Sequence, residues 1–362
     1  MRVLIIEPAG GLWGSERALL DLIEAVPNLE VAVCCPPSTR LAAELDRRGV
    51  QVYSWFVERL HLRPRWRRLQ AAIGVLRACA AFRPEVLYLN QSGSCRVSLP
   101  AARLFGIPIA AHIRIYEDAD YLASLNPSPA RLRAVIAISS AIECHVRSLA
   151  GLAKVRVHTA YDAYAPTICA ATDEPRPQRI ACVGRIVPIK GQELLIEAMP
   201  LLLACHPSAE CMILGEGEPS YVAELKHRAL ATGAAEAISW PGFVRHVGPL
   251  LSEAAVLACT SYKEPLGRVI FEAWDAGAVP VVFAGSGGAA EIVRAADAGI
   301  VYDHQAPQAL ADALDLALGL EPKQRRRLVE NGRAWMAEHC DPGKYATVIA
   351  DILEQTIALP KR

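Results

Sequence analysis

"RVLIIEPAGGLWGSERALLDLIEAV" occupies residues 2–26 and decides the fold. Its first part, "RVLIIEP", is a short apolar run of strand length. Gly10, Gly11 and Gly14 follow, where tight turns and close backbone approaches are easiest. From Ser15 onward the apolar residues recur at helical spacing, and Ser15 has the chemistry of an N-cap. Strand, glycine loop, helix is the opening unit of a doubly wound fold.

The alternation continues outward from that unit. "EVAVCCP" (30–36), "EVLYLN" (85–90), "PIAAHIR" (108–114), "AVIAIS" (134–139) and "KVRVHTAY" (154–161) are apolar or β-branched runs of strand length, mostly separated by helical stretches. "APTICAATDEPRPQ" (165–178) breaks the pattern with Pro166, Pro175 and Pro177 and reads as a linker. A second series starts at once with "RIACVGR" (179–185) and continues through "ECMILGEGE" (210–218), "AISWPGF" (237–243), "AVLACTS" (255–261), "VPVVFAG" (279–285) and "GIVYD" (299–303). Short apolar strands spaced by helices imply parallel sheets covered on both faces. The expected fold class is α/β: two Rossmann-like, doubly wound parallel-sheet domains facing across a cleft that takes the ligand.

Composition sets bounds on function. A chain of 362 residues is long enough for two domains, and 52% hydrophobic against 21% charged residues means a folded core. Its 38 basic and 38 acidic residues cancel, so bulk nucleic-acid binding is not expected. The eleven cysteines form no C-x-x-C pair and no zinc spacing. Cys34, Cys182, Cys211 and Cys259 fall in strand runs, so buried, reduced thiols in a cytoplasmic protein are the expectation. "MRVLIIEPAGG" is too short in apolar length for a signal peptide, and no apolar run reaches membrane-spanning length.

Three constellations carry chemistry. In "VGRIVPIKGQELLIEAM" (183–199) a strand ends, Gly184 turns the chain, and Arg185 and Lys190 precede a helix. Two cations beside a strand end and a helix start suit a diphosphate, although two surface cations flanking a loop would read the same way. In "GSGGAAEIV" (285–293) glycines follow a strand and let backbone N–H groups approach an anion, with Glu291 in the next helical turn; a plain strand-to-helix turn is the alternative. In "SYKEPLGRVIFEA" (261–273) Glu264 precedes a turn and Glu272 lies two helical turns on, with seven residues between them. Leu266, Gly267 and Arg268 start that helix and offer free N–H groups to an anion. A carboxylate at Glu272 can accept two hydrogen bonds from a vicinal diol. Separated carboxylates, helix-start N–H groups and nearby cations together describe a nucleotide-sugar site, not an acid/base pair.

Gly184-Arg185…Lys190-Gly191, Glu264…Glu272 and Gly287-Gly288-Ala289-Ala290-Glu291 stand in one order and register. In this the chain resembles the retaining glycosyltransferases of GT-B fold, family-4 type, over roughly residues 2–345. The resemblance implies that residues 1–165 form an acceptor-binding domain, 166–178 the linker and 179–340 the nucleotide-sugar domain, with 341–362 a C-terminal helix crossing back. It implies that Arg185 and Lys190 hold the donor diphosphate and neutralise the departing nucleotide. Glu264 would hold sugar hydroxyls, Glu272 the ribose, and the backbone at Leu266–Arg268 a phosphate. Phe243 and Val244 in "GFVR" (242–245) would edge the base, Gly184 would turn the chain at the donor, and Gly11 would border the donor from the N-terminal glycine loop. His112 would face the donor sugar, with an ordinary buried or capping histidine as the alternative. Arg114, Glu117, Asp118 and Asp120 follow it toward the acceptor side, where a solvated loop is the blander reading. The resemblance calls for no metal and no cofactor, and the implied partners are a nucleotide-diphosphate sugar and a hydroxyl acceptor: a saccharide, a lipid-linked saccharide or a small metabolite.

Three positions depart from the family pattern. Leu266 stands where an aromatic is usual, "TAYDAY" (159–164) replaces Asn-Gly-Val-Asp while keeping Asp162, and Trp13 enlarges the N-terminal loop. Rival classes are an epimerase or phosphorylase on the same fold, a non-catalytic nucleotide-sugar binder, and an NAD(P) oxidoreductase, for which no first-strand G-x-G-x-x-G exists. Finally, "ERLHLRPRWRRLQAAIGVL" (58–76) gathers Arg59, Arg63, Arg65, Arg67 and Arg68 around Trp66. Such a stretch suits peripheral contact with an anionic membrane at the inner face through residues 58–68, or else a solvated face with one core Trp.

Overall fold

The computed structural model describes residues 1–55, 65–128, 130–167 and 177–358. The chain divides into two units, Met1–Tyr164 with His339–Arg362, and Ala165–Glu338. In the first unit, strands β1 (Arg2–Ile6), β2 (Glu30–Cys35), β3 (Gln51–Ser54), β4 (Val86–Leu89), β5 (Ile109–Ile113), β6 (Leu132–Ala137) and β7 (Arg156–Thr159) form a parallel sheet in the order β3-β2-β1-β4-β5-β6-β7. Helices α1 (Gly14–Ala25), α2 (Arg40–Arg47), α3 (Arg65–Phe82), α4 (Cys95–Phe105), α5 (Tyr116–Ser124) and α6 (Ser140–Ser148) connect them.

The second unit has β8 (Arg179–Val183), β9 (Glu210–Leu214), β10 (Ile238–Gly242), β11 (Val256–Cys259), β12 (Val279–Phe283) and β13 (Ile300–Tyr302), in the order β10-β9-β8-β11-β12-β13, all parallel. Its helices are α7 (Gln192–Cys205), α8 (Pro219–Ala231), α9 (Gly248–Ser252), α10 (Arg268–Ala276), α11 (Gly288–Ala296), α12 (Pro307–Leu318) and α13 (Pro322–His339). The last helix, α14 (Pro342–Ala358), packs on α1 and against β4 to β6 in the first unit.

Central strands are buried on both faces, which is why they read as apolar runs broken only by His112 and Arg133: every residue of β4, β5, β6 and β11 is buried. The first core joins Val3, Ile5, Leu19, Val33 and Ile136 to Ile349 and Leu353 of α14. The second joins Ile180, Leu195, Ile213, Val256 and Val281 to Leu310 and Leu314 of α12. Each such side chain, fully buried, stabilises the fold by roughly 1.5–3 kcal/mol.

The structure departs from the sequence reading in three places. β3 is an additional edge strand: "QVYS" is only half-buried and too short to stand out as an apolar run. Helix α1 begins at Gly14 with Trp13 in the N-cap position, so Ser15 lies inside the first turn, where its hydroxyl donates to Glu16 Oε2 at 3.0 Å. Cys34, Cys182, Cys211 and Cys259 are buried in strands, but Cys144 and Cys205 are exposed; all the described cysteines are free thiols. Of the Arg-rich segment, residues 56–64 lie outside the described residues, and α3 starts at Arg65. Among the described residues no helix is long and apolar enough to cross a membrane.

Candidate active site

Strand order locates the crevice in each sheet. From β8 the chain first moves to β9 and β10, then returns to β11 on the other side, so β8 and β11 flank the switch point of the second sheet. Ligands of open α/β sheets bind outside the carboxyl ends of the strands at such a point. Arg185 follows β8, and Glu264 follows β11.

Lys190 and Glu264 meet there. Lys190 Nζ lies 2.5 Å from Glu264 Oε2, which also accepts from Ser261 Oγ at 2.8 Å. Burial works against charge on Lys190, but the adjacent Glu264 carboxylate outweighs it and the ammonium's pKa is raised. Arg185 stands near enough to oppose that charge, while its own side chain is exposed and its carbonyl accepts from Gln192 Nε2 at 2.9 Å. The β8 and β11 loops are tied together by Thr260 Oγ1 donating to the Lys190 carbonyl at 2.8 Å and by Tyr262 N–H donating to Ile189 O at 3.0 Å.

A second seam ties the β11 and β12 loops. Glu264 N–H donates to Ser286 O at 2.6 Å, and Ala289 N–H donates to Glu264 O at 3.3 Å. Gly288 makes this approach possible: a Cβ there would stand 1.9 Å from the Pro265 carbonyl oxygen. Gly267 caps α10 at φ +85°, a conformation that strains other residues, and Leu266 beside it is buried. Among the described residues the N–H groups of Leu266 and Gly267 donate to no other group. Arg268 opens α10, and half-buried Glu272 lies one turn on, on the same helix face. Glu291 sits in the first turn of α11.

Beside these loops a cavity of about 390 Å³ opens at the carboxyl ends of β8, β9 and β10, lined by Ile186, Gly215, Glu216, Val222, Lys226 and Trp240 among others. Lys226 Nζ stands 5.7 Å from the Trp240 ring centroid. Gly242 contributes to the wall; Phe243 and Val244 follow in the next loop, half-buried. The sequence reading passed over Trp240 and Lys226, because a tryptophan in a strand and a lysine on a helix carry no local mark of a cavity.

The first unit holds His112 and Gly11. His112 is fully buried, the next-to-last residue of β5, with Nδ1 2.5 Å from Tyr88 Oη and 3.4 Å from Arg114 Nη2. Burial, then the Arg114 charge, holds its pKa well below the usual range, so the ring is neutral, and Nε2 has no hydrogen-bond partner. Arg114 is buried as well, and its Nη1 donates to both oxygens of Asp162 at 2.7 and 2.8 Å. Asp118, half-buried in the first turn of α5, accepts from Ser92 Oγ at its carbonyl oxygen at 3.1 Å, and burial raises its carboxyl to about 6.

At the switch point of the first sheet, between β1 and β4, the structure shows a cluster the sequence reading missed. Glu7 is fully buried and accepts from Asn90 Nδ2 at 2.5 Å, Gln91 Nε2 at 2.8 Å and Ala9 N–H at 2.8 Å. Glu16, on α1, is 2% exposed. Burial and the Glu16 charge push Glu7 up to about 8, against the hydrogen bonds of Asn90 and Ala9 and the charge of Arg114. Gly11 lies above this cluster with the half-buried Trp13 ring folded against it. Among the described residues no group of three or more His, Cys, Asp or Glu side chains is placed to hold a metal ion.

Comparison with known proteins follows the same division. The family model "Glycosyl transferase 4-like domain" matches residues 14–161, and "Glycosyl transferases group 1" matches residues 170–335. The GDP-mannose-dependent monoacylated alpha-(1-6)-phosphatidylinositol monomannoside mannosyltransferase of Corynebacterium glutamicum is 35% identical over 164 residues, 43% of this chain and 41% of that protein. The chain thus matches about two fifths of the length of such curated relatives. Anabaena HepE in complex with UDP and glucose superimposes with a TM-score of 0.84 at 20% identity, covering 98% of this chain and 100% of that one. Sucrose-phosphate synthase of Thermosynechococcus elongatus does so at 0.80 and 17%, covering 99% of each chain. Two parallel sheets with these switch points, the ordered motifs of the second unit and a family match over each unit lead to one assignment: the chain belongs to the GT-B glycosyltransferases of family-4 type.

Proposed function

We propose that the chain transfers a hexosyl group from a nucleoside-diphosphate sugar to a hydroxyl acceptor, with retention of anomeric configuration and without a metal, in glycan, polysaccharide or glycolipid biosynthesis. The observation that carries this reading is the Lys190–Glu264 pair at the second sheet's switch point, next to the unpartnered N–H groups of Leu266 and Gly267. A diphosphate seated on those N–H groups meets Lys190 and Arg185, which take the charge that a divalent ion would otherwise balance. Glu264 then holds sugar hydroxyls and Glu272 the ribose diol. The cavity beside Trp240 suits the base, with Phe243 and Val244 at its edge. The relatives fit this: HepE forms complexes with UDP and UDP-glucose, and the corynebacterial enzyme is GDP-mannose-dependent.

In the reaction, the bond from the anomeric carbon to the phosphate oxygen breaks while the acceptor oxygen bonds to that carbon on the same face. The departing phosphate takes the acceptor proton, and Lys190 and Arg185 stabilise its charge. His112, neutral and with Nε2 unpartnered, is the first unit's candidate contact to the donor sugar. The first unit would take the acceptor. A lipid-borne acceptor fits the phosphatidylinositol mannoside in the relative's name, with the protein at the cytoplasmic membrane face.

A thermal-shift panel of UDP, GDP and ADP with their sugars tests the donor assignment. The cognate nucleotide should stabilise the fold by about 2.7 kcal/mol at one hundred times its dissociation constant. Turnover should survive EDTA, and proton NMR of the product should show the donor's anomeric configuration. A chain that no nucleotide stabilises is not a nucleotide-sugar enzyme.

A further inference from the structure

Helices α3 and α4 pack side by side. The crossovers β3 to β4 and β4 to β5 run in the same direction across the first sheet, so right-handed connections place both helices on one face of it. Their outer stripes are unusual. On α3, Trp66, Leu69, Ile73 and Arg77 recur at spacings of three and four, which sets them on one side of the helix, and all are exposed. Trp66 is 55% and Leu69 62% exposed. On α4, Arg96, Pro100, Arg103 and Leu104 form the matching stripe, with Phe105 at its end.

Charge on this layer has one sign. The chain as a whole carries 38 basic and 38 acidic residues, yet the sequences of α3 and α4 contain six arginines (Arg65, Arg67, Arg68, Arg77, Arg96 and Arg103) and no Asp or Glu. Arg67 stacks over the Trp66 ring at 5.0 Å. Among the described residues Arg77, Arg96 and Arg103 make no ion pair. Cations alone would suit any polyanion in water. Large apolar side chains interleaved with them do not: beside cations that pair with phosphates, they gain where hydrocarbon lies beneath those phosphates.

We propose that the outer face of α3 and α4 is a docking surface for an anionic phospholipid bilayer. Arg67, Arg77, Arg96 and Arg103 meet lipid phosphates, Trp66 sits at headgroup depth, and Leu69, Ile73, Leu104 and Phe105 reach the acyl boundary. This deepens the lipid-borne-acceptor reading and extends the expected contact beyond residues 58–68 over a two-helix layer.

Sedimentation of the full chain with phosphatidylcholine vesicles, with and without phosphatidylglycerol, tests it. Binding should require phosphatidylglycerol and fall steeply with salt. Each arginine removed should lower partitioning about fivefold, and the Arg67, Arg77, Arg96 and Arg103→Ser variant should lose binding by more than a hundredfold. Leu69→Ser with Leu104→Ser should weaken binding without changing its salt dependence, and the vesicle-induced blue shift of tryptophan emission should vanish in Trp66→Phe. These positions are exposed, so melting temperatures should stay at wild type and verify the fold. Nucleotide-induced thermal shifts should be unchanged in the variants, which separates failure of the surface from failure of the donor assignment. Binding that ignores phosphatidylglycerol, or that survives in the arginine variant, overturns the proposal; so does equal capture by heparin with no Trp66 shift.

Discussion

Lys190 Nζ and Glu264 Oε2 stand 2.5 Å apart, although 74 positions separate them in the chain. The pair closes the β8 loop on the β11 loop, and it puts a cation and a carboxylate where the phosphate and the sugar of a donor would lie side by side. Neither partner is fully exposed, and the Glu264 carboxylate helps to keep the Lys190 ammonium charged.

Lys190→Ala should therefore do two separable things. It should lower kcat/KM by roughly 10²- to 10³-fold, the usual effect of removing one group aimed at developing charge. It should also destabilise the fold, because Glu264 is left with Ser261 as its side-chain partner. Adding Glu264→Gln to that variant removes the stranded charge. Urea melts should then recover toward wild type while turnover stays lost. If stability and activity recover together, Lys190 is a structural cation and the diphosphate assignment fails.

Gly288→Ala should cost about 1–3 kcal/mol, as overpacking does, because its Cβ would collide with the Pro265 carbonyl oxygen. The affected segment carries Glu264, so nucleotide-sugar affinity should fall while affinity for the free nucleotide falls less. Gly74→Ala is the matched control: it lies inside α3 with nothing near its would-be Cβ. It should stabilise the protein by up to about 1 kcal/mol through helix propensity. Unfolding melts on both variants decide the matter, and a harmless Gly288→Ala would mean that the loop seam is looser than its hydrogen bonds indicate.

The legible parts of this molecule are the local ones. Strand runs such as "RIACVGR" and "VPVVF" carry their own signal because parallel strands buried on both faces must be apolar throughout. Lys190, Glu264 and Gly288 were each visible as motif residues, since a phosphate seat needs cations and glycines at fixed distances from a strand end. Their mutual contacts were not visible, because they depend on β8 and β11 being neighbours, and strand order is not written in any one segment. β3 escaped notice because an edge strand needs no unbroken apolar run. Glu7 escaped for a related reason: following an apolar run, it reads as the polar residue that ends a strand. Only the β1–β4 adjacency, with Asn90 and Gln91 arriving from the far strand, buries it.

That burial makes a prediction about pH. Glu7 faces the Glu16 carboxylate on α1, the Cys35 thiol on β2, Asn90 and Gln91 after β4, and the Arg114 guanidinium after β5. Its carboxyl is pushed from an ordinary 4.5 to about 8, chiefly by burial and then by Glu16. Between these two values the folded chain keeps a proton that the unfolded chain has released. More protons bound to the folded state means that stability falls as pH rises, by up to about 1.4 kcal/mol per pH unit for one group. Below pH 4.5 both states are protonated, and above pH 8 both are ionised, so the slope is confined to the interval between. Glu7→Gln removes the titration and should flatten the stability profile across pH 5 to 8, whatever its offset. Glu16→Gln removes one cause of the shift and should narrow the interval from its alkaline end. Urea denaturation of the three proteins at pH 5, 6.5 and 8 measures this, and subtracting the Glu7→Gln profile from wild type cancels the contributions of other titrating groups such as His158 and Asp118. Parallel profiles for wild type and Glu7→Gln would mean that Glu7 is ionised in the folded protein and that Arg114 and the amide donors outweigh its burial.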